Sequence, residues 1–337
     1  MDWSLPLADI LAARRTIAGV ADDTPQLLSP FLSDIAGHSF WLKLESLQPI
    51  GAFKLRGAVN AVSHLPKEVN GVTCCSTGNH GRGVAFAAQR AGIEAVICMS
   101  SLVPETKREG IRALGGTVRI IGQSQDDAQR ESERLAREEG LVEISPFDNP
   151  HVIAGQGTIG VEMLEATPDL TSLLVPLSGG GLAAGVALAA KAINPCIQVI
   201  GLSMDRGAAM HASLQSGHPV EVTEYVSLAD SLGGGIGLNN QLSFPMCRDL
   251  LDGIVLVTEE EIRDAMQALY FEERLVAEGA CVVGIAALLA GKLPQISGPV
   301  GTIITGRNVD MTQFTRVVSG QDVMLGDVTL EGRRYAA

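Results

Sequence analysis

Lys54 lies in the stretch Ser46 to Gly57, which reads S-L-Q-P-I-G-A-F-K-L-R-G. Pro49 and Gly51 mark a turn, and from Ala52 to Leu65 apolar residues recur at helical spacing, which places Lys54 in a first helical turn. The positive end of the helix dipole and the unpaired amides there disfavour an ammonium and favour anions, so a lowered lysine pKa is expected. A lysine that spends time as the free amine attacks carbonyl carbons and forms a Schiff base. On this stretch alone, a solvated lysine beside Arg56 is the competing reading.

Two other stretches suit anions. Ser178-Gly179-Gly180-Gly181-Leu182-Ala183-Ala184-Gly185 joins an apolar strand to an apolar helix, where glycines let the backbone approach a phosphate and the helix N-terminus points free N–H groups at it. The same residues fit the dinucleotide pattern through Gly179, Gly181 and Ala184, so a nicotinamide-dependent oxidoreductase competes, as do glycines needed only for tight packing. Ser76-Thr77-Gly78-Asn79-His80-Gly81 repeats the arrangement on a scale that suits a carboxylate; His80 there reads as a packed or supporting histidine more than as a base. Thr305-Gly306-Arg307-Asn308-Val309-Asp310 follows the last strand, at the sheet end where open α/β folds present their ligands.

The elements that would position these stretches alternate. Strand patterns at 72–76, 95–99 and 118–121 are separated by helix patterns at 81–91, 104–114 and 126–138, and after a turn-rich crossing at 145–150 the alternation resumes from a helix at 153–166 through strands at 172–177, 198–203, 254–257 and 300–305. Strands alternating with amphipathic helices of this length predict βαβ units and parallel sheets. The glycine-rich segment 227–240 reads as a loop, and the last twenty residues are weakly patterned. The organisation expected is two lobes: 65–148 a small one, 1–64 with 149–337 a large one.

Composition narrows the function classes. A net charge of -13 opposes general affinity for nucleic acid or an anionic membrane, so a bound phosphate must be held locally by backbone amides. The longest apolar stretches, 181–190 and 279–290, end at Lys191 and Lys292, well short of the roughly 20 residues of a membrane span. The start of the chain does not read as a signal peptide, because Asp2 and Asp9 interrupt it and Arg14-Arg15 follow its apolar part; a cytoplasmic protein is expected. The six cysteines show no C-x-x-C spacing and read as reduced thiols, and the histidines form no zinc-ligand pattern. Hydrophobic residues at 46% and a mean hydropathy of +0.23 make burial between subunits plausible.

In this order, the Lys54 stretch, S-T-G-N-H-G-R-G-V-A, S-G-G-G-L and T-G-R-N-V-D are accompanied by P-F-D at 146–148, I-A-G-Q-G-T at 153–158 and E-G-A at 278–280. The chain thereby resembles the fold type II pyridoxal-phosphate enzymes, in their threonine dehydratase and serine racemase group, from Thr24 to Asp310. Segment 201–240, with S-M-D-R-G-A-A-M-H-A-S-L and S-L-A-D-S-L-G-G-G-I-G-L, is most similar to the dehydratases of hydroxyectoine utilisation.

The resemblance implies a two-lobed α/β fold, each lobe an open, mostly parallel sheet flanked by helices, and a homodimer. It implies pyridoxal 5'-phosphate on Lys54 beside Phe53, with Asn79 on its 3-oxygen, Ser178, Gly179, Gly180, Gly181 and Leu182 on its phosphate, and Thr305 at its pyridine nitrogen. Ser76, Thr77, Asn79 and His80 would hold the substrate carboxylate; Thr77, placed where serine racemase has its far-face serine, joins Lys54 as catalytic. The activity implied is elimination of water from a β-hydroxy-α-amino acid, giving a 2-oxo acid and ammonia. In hydroxyectoine breakdown the substrate would carry a second amine, for which Asp230 and Glu278 are the candidate acceptors. A general threonine or serine dehydratase, a racemase, or a silent cofactor-binding sensor remain alternatives; a nicotinamide enzyme would leave Lys54 and Asn79 without a role. Members that bind a divalent cation use carboxylates at positions matched here by Ser203 and Ala209, with a carbonyl at Gly207, so no metal is expected. Ser178 stands where the group's four-glycine loop begins, which keeps a hydroxyl for the phosphate at a cost in backbone freedom.

Overall fold

The structure is a computed structural model. It describes residues 4–336 apart from 77, 102, 104 and 124, and only the backbone at 106, 125 and 126. In chain order, the elements α1 (Leu7–Ile17), β1 (Gln26–Leu28), α2 (Pro30–Ala36), β2 (Phe40–Lys43) and α3 (Lys54–Ser63) lead into β3 (Gly71–Cys75), α4 (Asn79–Ala91), β4 (Glu94–Met99), α5 (Glu105–Arg112), β5 (Thr117–Ile120), α6 (Gln125–Glu139) and β6 (Val142–Glu143). The rest comprises α7 (Pro150–Ala166), β7 (Ser172–Pro176), α8 (Gly181–Ile193), β8 (Gln198–Met204), α9 (Ala209–Ser216), α10 (Ser243–Leu250), β9 (Gly253–Val257), α11 (Glu259–Glu273), α12 (Val283–Leu289), β10 (Val300–Ile303), α13 (Met311–Val318), β11 (Val323–Leu325) and β12 (Val328–Leu330).

β3 to β6 form a parallel sheet in the order β5-β4-β3-β6. A larger sheet has the order β1-β2-β10-β7-β8-β9, with β1 antiparallel to β2 and the remaining pairs parallel. Every residue of β7 and β10 is buried, as strands covered on both faces must be, and their side chains are shared between two apolar cores. This is the α/β architecture of two helix-flanked, mostly parallel sheets expected from the alternating pattern. Among the described residues no helix is long and apolar enough to cross a membrane.

The sheets meet through α3, α7 and α8. α7 is buried at every position from Val152 to Leu164, and it packs against both α3 and α8. Glycine is required where these helices cross, because a Cβ on Gly155 would sit 2.7 Å from the Arg56 carbonyl oxygen and from Gly57 Cα. A Cβ on Gly185 would sit 2.3 Å from the Ile153 carbonyl oxygen. The close crossing seats the helix that carries Lys54 directly on the large core.

Behind that crossing lies a buried ionic cluster. Arg56 donates to both Glu45 carboxylate oxygens (2.7 and 2.8 Å) and both Glu162 oxygens (2.6 and 2.7 Å), and Lys43 reaches Glu162 at 2.6 Å. Burial works to raise the Glu45 carboxyl, yet the Arg56 charge and hydrogen bonds hold it below the ordinary range; for Glu162 burial wins and raises it.

The structure adds elements without a strong local pattern. β1 pairs at the sheet edge through three residues, with Leu27 and Leu28 exposed, and β6 has two residues. α10 takes its cap from a distant residue, because the Asp148 carboxylate accepts from the Gln241, Leu242 and Ser243 amides. The apolar stretch 279–290 opens with a 3-10 turn, Gly279–Cys281, before α12. Among the described residues no disulfide joins the six cysteines, five of which are buried while Cys196 is exposed.

Replacing Arg56 with methionine would leave Glu45 and Glu162 buried without their partner, an arrangement that costs about 3–5 kcal/mol. Urea unfolding of Arg56→Met should show that loss; a change below about 1 kcal/mol would mean that the cluster is not what holds α3 to α7.

Candidate active site

The four stretches converge on one cavity of ≈ 170 Å³ between the two sheets. Phe53, Lys54, Ser76, Asn79, His80, Ser178 to Leu182 and Thr305 all line it. Thr77 lies outside the described residues.

Lys54 is the first residue of α3. Its Nζ donates to the Pro146 carbonyl at 2.8 Å and sits 5.3 Å from the centre of the Phe53 ring. Burial lowers its pKa from 10.5 to about 8, opposed by nearby Cys74. The direction agrees with the sequence expectation, and the largest cause is desolvation. At neutral pH a useful fraction of this amine is therefore unprotonated.

Opposite Lys54, the turn into α8 is open to the cavity. Gly180 is the N-cap with φ +90°, and no side chain caps the helix. A Cβ on Gly179 would strike the Phe147 ring at 2.1 Å, and one on Gly181 would meet Phe147 Cα at 2.7 Å, so glycine is what lets Phe147 lie against this turn. Among the described residues the Ser178 hydroxyl has no hydrogen-bond partner, and the N–H groups that begin α8 face the cavity with it. Uncapped amides and a free hydroxyl at a helix N-terminus fit a phosphate.

The α4 end is built differently. Ser76 Oγ accepts from the Gly78 and Gly81 amides at 3.2 and 2.9 Å, so its own proton is left to donate. His80 donates from Nε2 to the Ile144 carbonyl at 2.7 Å, and its Nδ1 is buried without a partner. Burial and nearby Lys54 push its pKa down to about 3, so His80 is neutral at working pH and supports the turn without shuttling protons.

Thr305, at the end of β10, has its hydroxyl 3.2 Å from Cys281 Sγ. Its carbonyl accepts from the Phe53 amide at 2.9 Å, while the Gly51 carbonyl accepts from the Arg307 amide at 2.9 Å. The stretch holding Lys54 and the stretch holding Thr305 are thus paired backbone to backbone.

Asp230 and Glu278 do not line the cavity. Glu278 is buried behind it: Asn79 Nδ2 donates to both carboxylate oxygens at 2.9 Å, Ser231 Oγ to one at 2.7 Å, and the Asn308 amide to the other at 2.9 Å. Burial first, and Asp230 nearby, raise its pKa. Asp230 is half exposed and forms an ion pair with Lys107 of α5, which itself lines the cavity. Reading the sequence missed Lys107, Ser231, Phe147 and Cys281. P-F-D at 146–148 was the available signal for one of them: each of its residues has a job here, on Lys54, on the glycine turn and on α10.

A free lysine amine facing an open helix N-terminus, with a hydroxyl beyond it, defines an enzyme shaped for a phosphorylated aldehyde held covalently. The comparisons agree. Residues 17–306 match the family described as pyridoxal-phosphate dependent enzyme. A putative threonine dehydratase of Sinorhizobium fredii is 54% identical, over 94% of this chain and 96% of that protein. An L-threonine ammonia-lyase of Thermotoga maritima is 40% identical, over 94% and 78%. Among solved structures, maize serine racemase superposes with a TM-score of 0.88 at 33% identity, covering 93% of this chain and 97% of its own. The processed form of threonine deaminase isoform 2 from Solanum lycopersicum gives 0.84 at 38%, covering 92% and 91%. The chain belongs to the pyridoxal-phosphate-dependent enzyme family, in its fold type II architecture, which sets aside the nicotinamide reading of the 178–185 loop.

Because an amine attacks carbonyls only above its pKa, the lowered value should be visible directly. Reductive trapping of pyridoxal phosphate on the apoprotein should speed up with pH and be half-maximal near about 8. A midpoint near 10.5, the value of an ordinary lysine, would contradict the burial argument.

Proposed function

We propose that the protein is a lyase that eliminates water from a β-hydroxy-α-amino acid and releases a 2-oxo acid and ammonia. The observation that carries this reading is the convergence of a buried Lys54 with a lowered pKa, an open phosphate cradle at 178–182 and an uncharged Thr305 in one cavity. Bound pyridoxal phosphate supplies an electron sink for the pair left at Cα when its proton departs.

The chain's own residues do the rest. The amides and hydroxyl of 178–182 would hold the phosphate and Thr305 the ring nitrogen; Asn79, whose Nδ2 donates to both Glu278 oxygens, would have to release one of those bonds to reach the 3-oxygen. A hydroxyl leaves that nitrogen uncharged where a carboxylate would keep it protonated, which favours prompt loss of the β-group. The Ser76 hydroxyl, with both its accepting positions used, would donate to the substrate carboxylate beside the α4 amides. Lys54 would take the proton from Cα and pass it to the β-hydroxyl, which leaves as water; the released enamine tautomerises to an imine that a second water hydrolyses to the 2-oxo acid and ammonia. The relatives named threonine dehydratase and threonine ammonia-lyase support this chemistry.

For the finer assignment we infer 3-hydroxy-2,4-diaminobutyrate, as formed in hydroxyectoine breakdown in the cytoplasm. Its support is the acidic pair Asp230 and Glu278, close enough to raise Glu278's pKa, with Ser231 between them on the cavity wall. A second substrate amine would take the place of Lys107 at Asp230. The working unit would be a homodimer, a reading supported by the exposed apolar side chains of Val226, Met324 and Val328 at the C-terminal hairpin.

Release of 2-oxo acid and ammonia should be measured from threonine, serine and the hydroxy-diamino acid. The diamino acid should have the highest kcat/KM, and Asp230→Asn should erode that lead by about tenfold or more. A higher value for threonine would leave a general threonine dehydratase; no keto acid from any of them would refute the elimination itself.

A further inference from the structure

Cys281 has no role in the chemistry just described, yet its thiol is the nearest polar neighbour given to the Thr305 hydroxyl. It closes the 3-10 turn Gly279–Cys281 and is fully buried. Three contacts fix it. The Gly306 amide donates to Sγ at 3.0 Å, the Gly306 carbonyl lies 2.9 Å away, and Thr305 Oγ1 lies 3.2 Å away. The backbone amide of Cys281 is anchored in turn, donating to the Glu278 carbonyl at 3.0 Å. A group held by a strand end on one side and its own turn on the other cannot drift from Thr305 without breaking one of them.

The protons can be followed. Burial, with Glu278 nearby, pushes the thiol up to about 12, so it keeps its single proton. The Gly306 amide already occupies the sulfur as a donor. The S–H is directed at the Gly306 carbonyl, the nearer acceptor; once a ring nitrogen draws the threonine proton outward into the cavity that Thr305 lines, Oγ1 becomes a second acceptor for the S–H. An O–H that accepts a hydrogen bond from behind is also a better donor in front.

We propose that Cys281 is a positioning residue for Thr305, aiming its hydroxyl proton at the ring nitrogen of the cofactor through an amide–thiol–hydroxyl relay. The inference rests on the assignment of Thr305 to that nitrogen and adds the group that sets its direction.

The test measures pyridoxal-phosphate affinity of the apoprotein and the absorption maximum of the bound cofactor for Cys281→Ala, Cys281→Ser, Thr305→Val and the double variant Cys281→Ala/Thr305→Val. Loss of one well-placed hydrogen bond should weaken binding about tenfold in Cys281→Ala and displace the absorption maximum, whereas Cys281→Ser, which keeps a donor and an acceptor, should stay within about threefold of the parent. If the thiol acts through Thr305, the double variant should bind no more weakly than Thr305→Val alone. Melting temperatures separate this from a packing defect, and should Cys281→Ala fail to fold, Cys281→Val, which fills the space without a donor, carries the same comparison with and without Thr305→Val. Additive losses in the double variant, or a Cys281→Ala that matches the parent while Thr305→Val does not, overturn the proposal. A Thr305→Val that changes neither affinity nor spectrum overturns instead the placement of Thr305 at the nitrogen, and the relay with it.

Discussion

The site depends on a short backbone pairing between segments far apart in the chain. The Phe53 amide donates to the Thr305 carbonyl, the Arg307 amide to the Gly51 carbonyl, and Ala52 bridges Gly306. Gly51 makes this possible with a φ of +76°, and a Cβ there would lie 2.8 Å from Asn308 Oδ1. The consequence is that the backbones carrying Lys54 and Thr305 are held in register by peptide groups, whichever rotamers the two side chains adopt. Asn308 extends the same clamp, donating both to the Ile50 carbonyl and to Asn79 Oδ1. One joint therefore registers three of the four stretches that face the cavity.

Rigidity behind the joint comes from the glycine-mediated crossing of α3, α7 and α8 and from the Arg56 cluster beneath it. Buried ion pairs of this kind add little net stability compared with apolar packing, but they punish misplacement severely, because every alternative leaves a charge unpaired. Placed two residues after Lys54, such a cluster serves orientation. The cavity mouth is looser by contrast: the 231–235 segment that lines it is glycine-rich, and its neighbour Asp230 is held by a half-exposed ion pair with Lys107 of the other sheet's α5. Exposed pairs contribute only about 0–1 kcal/mol, so this contact opens at little cost. Rigid floor and exchangeable rim follow from where the charges are buried.

Much of this was legible in the sequence where periodicity and turn chemistry act locally. The alternation after Gly71, the first-turn position of Lys54, and the two anion-binding turns each follow from residues within a few positions of one another. What escaped depends on distance. The cap of α10 is Asp148, far upstream, and β1 is an edge strand of three residues whose leucines face solvent, so neither leaves a local pattern. α13 was within reach, since Asp310 accepts from the Thr312 and Gln313 amides as an ordinary N-cap, but it was read as the end of the T-G-R-N-V-D turn. The same limit applies to chemistry. The sequence placed the lowered lysine pKa at a helix end, whereas the larger cause is burial by Phe53, Pro146 and their neighbours, which only the folded chain displays. Glu278 and Asp230 were selected as acceptors from motif position; that one is held by Asn79 and Ser231 and the other by Lys107 is a property of the assembled site.

The central claim is that this joint presents Lys54, and no other lysine, to the cofactor. Borohydride reduction of the purified protein followed by peptide mapping tests it most directly. The account predicts a yellow protein that bleaches on reduction and carries the phosphopyridoxyl group on the peptide containing Lys54, with Lys54→Ala colourless. A stable label on any other lysine, or a yellow band that survives in Lys54→Ala, would contradict it.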